Sequence, residues 1–228
     1  AIALLSAAMP FTAKAQDKVE ASVGADFVSN YIWRGTDCGG VSIQPSMGVS
    51  YKGLSLAAWG SVGIDKEDAR EIDLTLGYNT GGFNVSVTDY WFSYHKEDDG
   101  YTGDYFKYGA HSTVHIFEAT LGYDFGPLAL NWNTYFAGDD YTKENGDRAY
   151  STYVGISAPF KLGGLDWSAE VGLTPWEGAY ANKFNVTNLT LKAEKEIKFT
   201  NSFSLPTFAQ VTFNPHTQGA YFVFGVSF

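Results

Sequence analysis

Four histidines, one cysteine and a carboxylate-rich stretch are the places where this sequence could do chemistry. His111 and His115 have the spacing of a zinc couple, which works on a helix because residues four apart share a face. Their surroundings, "HSTVHIFEATLGY", alternate apolar and polar residues instead. On an extended strand residues four apart are separated by ~13 Å, too far for one ion, so no metal centre is expected. His111 beside Ser112 brings to mind the nucleophile and base of a barrel-borne lipid hydrolase. Neighbours on a strand point to opposite faces, so these two cannot serve one another, and no other serine is singled out. No enzymatic activity and no cofactor are expected. The stretch "YHKEDDGYTGDYFKYGAHS" collects carboxylates that suit calcium and rings that suit a sugar-like ligand, and equally describes a solvated surface loop, which is the reading adopted. Cys38 has no intrachain partner and reads as a small loop residue rather than a reactive thiol.

The elements that must position such residues are strands. In "LALNWNTYF", Leu128, Leu130, Trp132 and Phe136 share one face, against Ala129, Asn131 and Asn133. In "EIDLTLGY", Ile72, Leu74, Leu76 and Tyr78 oppose Asp73, Thr75 and Gly77. In "LDWSAEVGL", Leu165, Trp167, Ala169, Val171 and Leu173 oppose Asp166, Ser168, Glu170 and Gly172. Period two is the pleat of a strand with one apolar face. Applied along the chain it predicts about twelve strands, to within two, over 19–34, 42–51, 54–64, 70–79, 83–93, 113–125, 128–137, 148–160, 165–174, 184–199, 203–213 and 219–228. Most approach the ~9–11 residues that a tilted strand needs to cross a bilayer.

Composition agrees. Aromatic residues make up 17% and glycine numbers 25, a β-rich signature. Fifteen Lys and Arg against 25 Asp and Glu give a net charge of -10 and no basic stripe, which excludes a nucleic-acid partner. "AIALLSAAMPFTAKA", residues 1–15, reads as the tail of a secretory signal peptide with Ala13-Lys14-Ala15 as its cleavage site. It is too short to span a bilayer as a helix, and no cysteine follows it to carry a lipid. The remainder, 16–228, reads as one domain.

Connections alternate strictly between short turns, such as Lys52-Gly53 and Gly126-Pro127, and longer polar loops, such as 35–41 and 94–112. A transmembrane barrel has this asymmetry, with short turns in the periplasm and long loops outside, whereas a soluble sandwich has no need of it. Rings gather at both strand ends. Tyr78, Phe125 and Trp167 lie near short turns, and Tyr31, Trp33, Trp91 and Phe136 near long loops, as two aromatic girdles would require. The final "GAYFVFGVSF" is an amphipathic strand closing on Phe228, which resembles the assembly signal of bacterial outer-membrane barrels. The predicted fold is an all-β, antiparallel up-and-down transmembrane barrel in the bacterial outer membrane.

With the apolar set outside, the alternate set faces the lumen. The lumen candidates are Asp26, Arg34, Asp73, Glu118, Glu170, Lys192 and Glu194. A charge on the lipid face near the midplane costs ~2–4 kcal/mol, which enforces this parity. Asp89 breaks it by following Val85 and Val87, and predicts a bulge or an early strand end. In "SNYIWRG", Ser29, Tyr31 and Trp33 are expected outside, and Asn30, Ile32 and Arg34 inside. The inward set is mostly acidic, which fits a cation-leaning path. It also fits a plug in which Arg34 and Lys192 pair with carboxylates.

"SNYIWRG" followed by Gln44-Pro45 and "GLSLAAWGSVG" resembles the start of the TorF-type porin family, also called Gcw_chp. Ser29, Tyr31, Arg34, Gly35, Gly53, Trp59 and Ser61 carry the resemblance over about three strands. Cys38-Gly39-Gly40 and the long third loop are not part of it. The resemblance implies an outer-membrane barrel of porin type and transfers no functional residues. The expected function is passive diffusion of small polar, cation-leaning solutes. The alternatives are a non-conducting structural or partner-binding barrel and, third, a lipid-modifying enzyme. Outer-membrane lipid and the barrel-assembly machinery, acting on the C-terminal strand, are the expected partners; the oligomeric state is open.

Overall fold

The computed structural model describes residues 18–66, 68–93, 103–109, 112–201 and 203–228. The predicted signal peptide, His95 and His111 lie outside them. Among the described residues every regular element is a strand. In chain order these are β1 (Glu20–Val28), β2 (Tyr31–Trp33), β3 (Thr36–Gly39), β4 (Ser42–Tyr51), β5 (Leu54–Gly63), β6 (Glu71–Thr80) and β7 (Phe83–Phe92). They continue with β8 (Ile116–Asp124), β9 (Ala129–Gly138), β10 (Thr152–Leu162), β11 (Leu165–Thr174), β12 (Asn185–Lys198), β13 (Ser204–Asn214) and β14 (Gly219–Ser227).

Twelve strands close a barrel, each antiparallel to its neighbours, and β2 and β3 form a separate two-stranded hairpin. Short turns form where two successive residues tolerate positive φ: Lys52-Gly53, Gly81-Gly82 and Gly163-Gly164. Such pairs match the twist of the strands they join. The seam between β1 and β14 is brief, pairing Asp26 with Ser227, Phe27 with Val226 and Val28 with Gly225. Phe228 extends it by exchanging backbone hydrogen bonds with Ala25 at 2.9 and 3.2 Å.

Burial is inverted relative to a water-soluble domain. Large apolar side chains are exposed around the wall, among them Met47, Leu56, Leu76, Val87, Leu130 and Phe224. Polar and charged side chains occupy the inside, among them Gln44, Ser61, Glu71, Asp73, Asn133 and Thr190. The pleat places these two sets on opposite sides of every strand.

Two expectations are corrected. Strand one ends at Val28, not at residue 34: Ser29 N–H bonds the Phe224 carbonyl at 2.9 Å, and the Phe224 N–H bonds Ser29 Oγ at 3.0 Å. Beyond that point the chain leaves the wall and folds into the lumen as β2 and β3. The second concerns Asp89, where no bulge forms. β7 pairs in unbroken register with β6 and β8 through Asp89, which stays on the outer face.

Candidate functional site

The hairpin carries the site. Its tip is Arg34-Gly35, both left-handed at φ 51 and 79. Only glycine fits the second position, because a Cβ there would overlap the Thr187 carbonyl oxygen on β12. Asn214 on β13 donates from Nδ2 to the Gly35 carbonyl at 3.0 Å, so the tip is fastened to one wall.

From the tip, Arg34 reaches the wall formed by β8. Its Nη1 and Nη2 donate to Glu118 Oε2 and Oε1 at 2.5 and 2.9 Å, a bidentate pair with side chains only 7% and 2% exposed. Nη1 also donates to the Tyr180 hydroxyl at 2.6 Å, and that hydroxyl donates to Tyr135 at 3.0 Å. Tyr90 donates to Glu118 Oε1 at 2.9 Å. The guanidinium lies 4.2 Å from the Trp33 ring and 4.8 Å from that of Tyr153. Burial by itself would lower the affinity of Arg34 for its proton, but Glu118 outweighs it and holds the group above its ordinary range. Burial pushes the Tyr180 hydroxyl up to about 12. Arg34 is therefore a permanent cation in an aromatic box, bridging the lumen.

Two further clusters flank this bridge. Tyr153 donates to Glu170 at 2.5 Å, and Asn188 donates to both at 2.9 and 3.1 Å. On the other side Tyr31 packs 5.5 Å from Trp59, within hydrogen-bonding reach of Glu71. Glu71 and Asp73 are buried neighbours along β6, and Asp73 Oδ1 has no hydrogen-bond partner among the described residues. Burial, with Glu71 and Asp37 nearby, pushes the Cys38 thiol well above its ordinary range, which suits an inert residue.

Of the lumen candidates, the structure gathers Arg34, Asp73, Glu118 and Glu170 at the long-loop end. Asp26 stands at the seam, opposite Gln44 and Ser227. Lys192 and Glu194 lie toward the short turns, paired with each other at 2.6 Å, with Lys192 Nζ 4.3 Å from the Phe208 ring. Small residues such as Ser46, Gly48, Ser55, Gly77, Ser86 and Ser168 line that half. Neither a protein-family model nor a curated protein sequence matches the chain.

Tyr78, Phe125 and Phe136 are exposed on the outer wall, and Trp167 stacks on Phe160 there at 6.0 Å. Trp91 is also on the outer side, covered by Tyr105 at 5.4 Å. Tyr31 and Trp33 are corrected: both are inside, Tyr31 buried and Trp33 packed between Tyr90 and Tyr180 at 5.6 and 6.4 Å. They belong to the hairpin, so the parity of the wall does not apply to them. The residues missed in the sequence are Tyr90, Tyr135, Tyr153 and Tyr180. Parity held a signal for three of them, since Tyr90, Tyr135 and Tyr153 directly precede the outward Trp91, Phe136 and Val154.

Proposed function

We propose that the protein is a bacterial outer-membrane barrel of porin type, passing small polar solutes through a lumen narrowed by the β2–β3 hairpin. The observation that carries this reading is the inverted burial of a closed barrel. A wall dominated by exposed apolar side chains is costly in water and stable in lipid, while closure gives every wall strand a partner on both sides. The resemblance to the TorF-type family over the first strands agrees with it. Carboxylates at the narrow end, namely Glu71, Asp73, Glu118 and Glu170, outnumber Arg34, which favours cations. Lipid and the assembly machinery acting at the Phe228 strand are the partners in this reading.

Planar-bilayer recording tests it. The intact protein is expected to show a small, cation-preferring conductance. Replacing residues 30–40 with a short Gly-Ser linker is expected to enlarge it. A second reading, a barrel closed at rest, is favoured by the Arg34–Glu118 bridge. It is the reading to adopt if only the hairpin-less protein conducts. Silence from both proteins overturns passage altogether.

A further inference from the structure

Outside the barrel, one polar cluster has no part in the lumen. Asp89 on β7 and His115, just before β8, face away from it, because their neighbours Tyr90 and Glu118 face in and bond each other. Phe117, opposite Asp89, touches the exposed Phe136 at 6.4 Å, which places the group on the outer wall.

His115 Nδ1 lies 2.7 Å from Asp89 Oδ1, and its Nε2 lies 2.7 Å from the carbonyl oxygen of Tyr105. Both ring nitrogens are therefore engaged, one on the Asp89 carboxylate of the wall and one on the backbone of residue 105, so the ring ties the two together. The ring is wholly buried. Tyr108 covers it at 4.2 Å and Tyr105 at 5.3 Å, and the Tyr108 hydroxyl is 3.5 Å from Asp89 Oδ2. Residues 103–109 thus fold back over the outside of β7 and β8. Their turn, closed by Lys107 N–H on the Asp104 carbonyl at 3.1 Å, projects Phe106, which is 88% exposed.

We propose that residues 103–109 form a flap that docks into the outer lipid leaflet, with Phe106 as its anchor and His115 as the latch holding it to the wall. The occupant is lipid because the flap continues the exposed apolar wall. Val85 and Val87 lie along the same face of β7, Leu121 along β8 and Phe136 along β9. An exposed phenylalanine at the edge of such a wall has the chemistry of an interfacial anchor. The latch also accounts for Asp89, since a carboxylate without a partner on this lipid-facing side is unfavourable. The inference rests on the membrane reading above.

The test places an environment-sensitive fluorophore at Phe106→Cys in a Cys38→Ser background, in phosphatidylcholine vesicles with and without doxyl-labelled lipid. Leu121→Cys is the control for the wall. Both labels are expected to emit in the blue and to be quenched by doxyl lipid. Adding His115→Gln is expected to move the label at 106 into water, quenched by iodide, while the label at 121 is unchanged. A label at 106 that reports water while 121 reports lipid overturns the flap. A label at 106 that stays in lipid with His115→Gln overturns the latch. If neither label meets lipid, the membrane reading falls, and the flap with it.

Discussion

At the scale of single residues, the lumen is bridged by a charge that keeps its proton. Arg34 keeps its proton, so Glu118 on the opposite wall compensates it, and both are nearly inaccessible to solvent. Removing one member strands the other. Arg34→Ala is expected to destabilise the folded barrel by about 3–5 kcal/mol and to raise its conductance, measured by urea unfolding in vesicles and by bilayer recording. Arg34→Lys is expected to leave most of the loss in place, because an ammonium cannot make the paired contacts of a guanidinium. Tyr180 adds a pH dependence. Its hydroxyl is pushed up to about 12 by burial, so the folded state holds that proton more tightly than the unfolded chain, where tyrosine titrates near ~10. Its contribution is complete below ~10 and is lost as pH rises toward 12. Conductance is expected to increase over that interval, and Tyr180→Phe to remove the alkaline step.

At the scale of elements, the decisive piece is the hairpin of β2 and β3. "SNYIWRG" continues the alternation of β1 smoothly, so periodicity alone extends the strand through it. The break comes from Ser29, whose backbone and hydroxyl are both engaged by Phe224, a partner distant in sequence. Period two is a property of any extended segment, whether it lies in the wall or inside it, so Tyr31 and Trp33 looked like girdle residues. Gly35 tests this placement. Gly35→Val meets both a positive φ and the Thr187 carbonyl, and is expected to lift the tip off β12. Faster proteolysis within residues 30–40 and larger conductance are the measurements. A similar limit applied to Asp89. A charge on an apolar face read as a break in the strand, when its partner was His115 just before the next strand.

At the scale of the whole molecule, the wall decides where a charge is tolerated. Leu130 and Asn131 are adjacent on β9, one outward and one inward. Leu130→Arg, close to the short-turn end of β9, is expected to cost up to about 1 kcal/mol in lipid vesicles, measured by urea unfolding. Asn131→Arg is expected to fold nearly as well as the parent and to shift ion preference toward anions. A water-soluble barrel would reverse that order of stability.

What the sequence determined by itself was the wall: strand number, antiparallel order, the alternation of short and long connections, and which face of each strand is apolar. Those follow from local chemistry, since the pleat is regular and every wall pairing except the β1–β14 seam joins strands successive along the wall in sequence. The lumen was decided only by tertiary structure. Arg34 meets Glu118 across 84 residues and Tyr180 across 146, and no local pattern encodes which wall an inward hairpin touches. Whether Arg34 lines a path or bridges it depends on where Val28 hands the chain off the wall, and that is set by the closing strand β14 at the far end of the sequence.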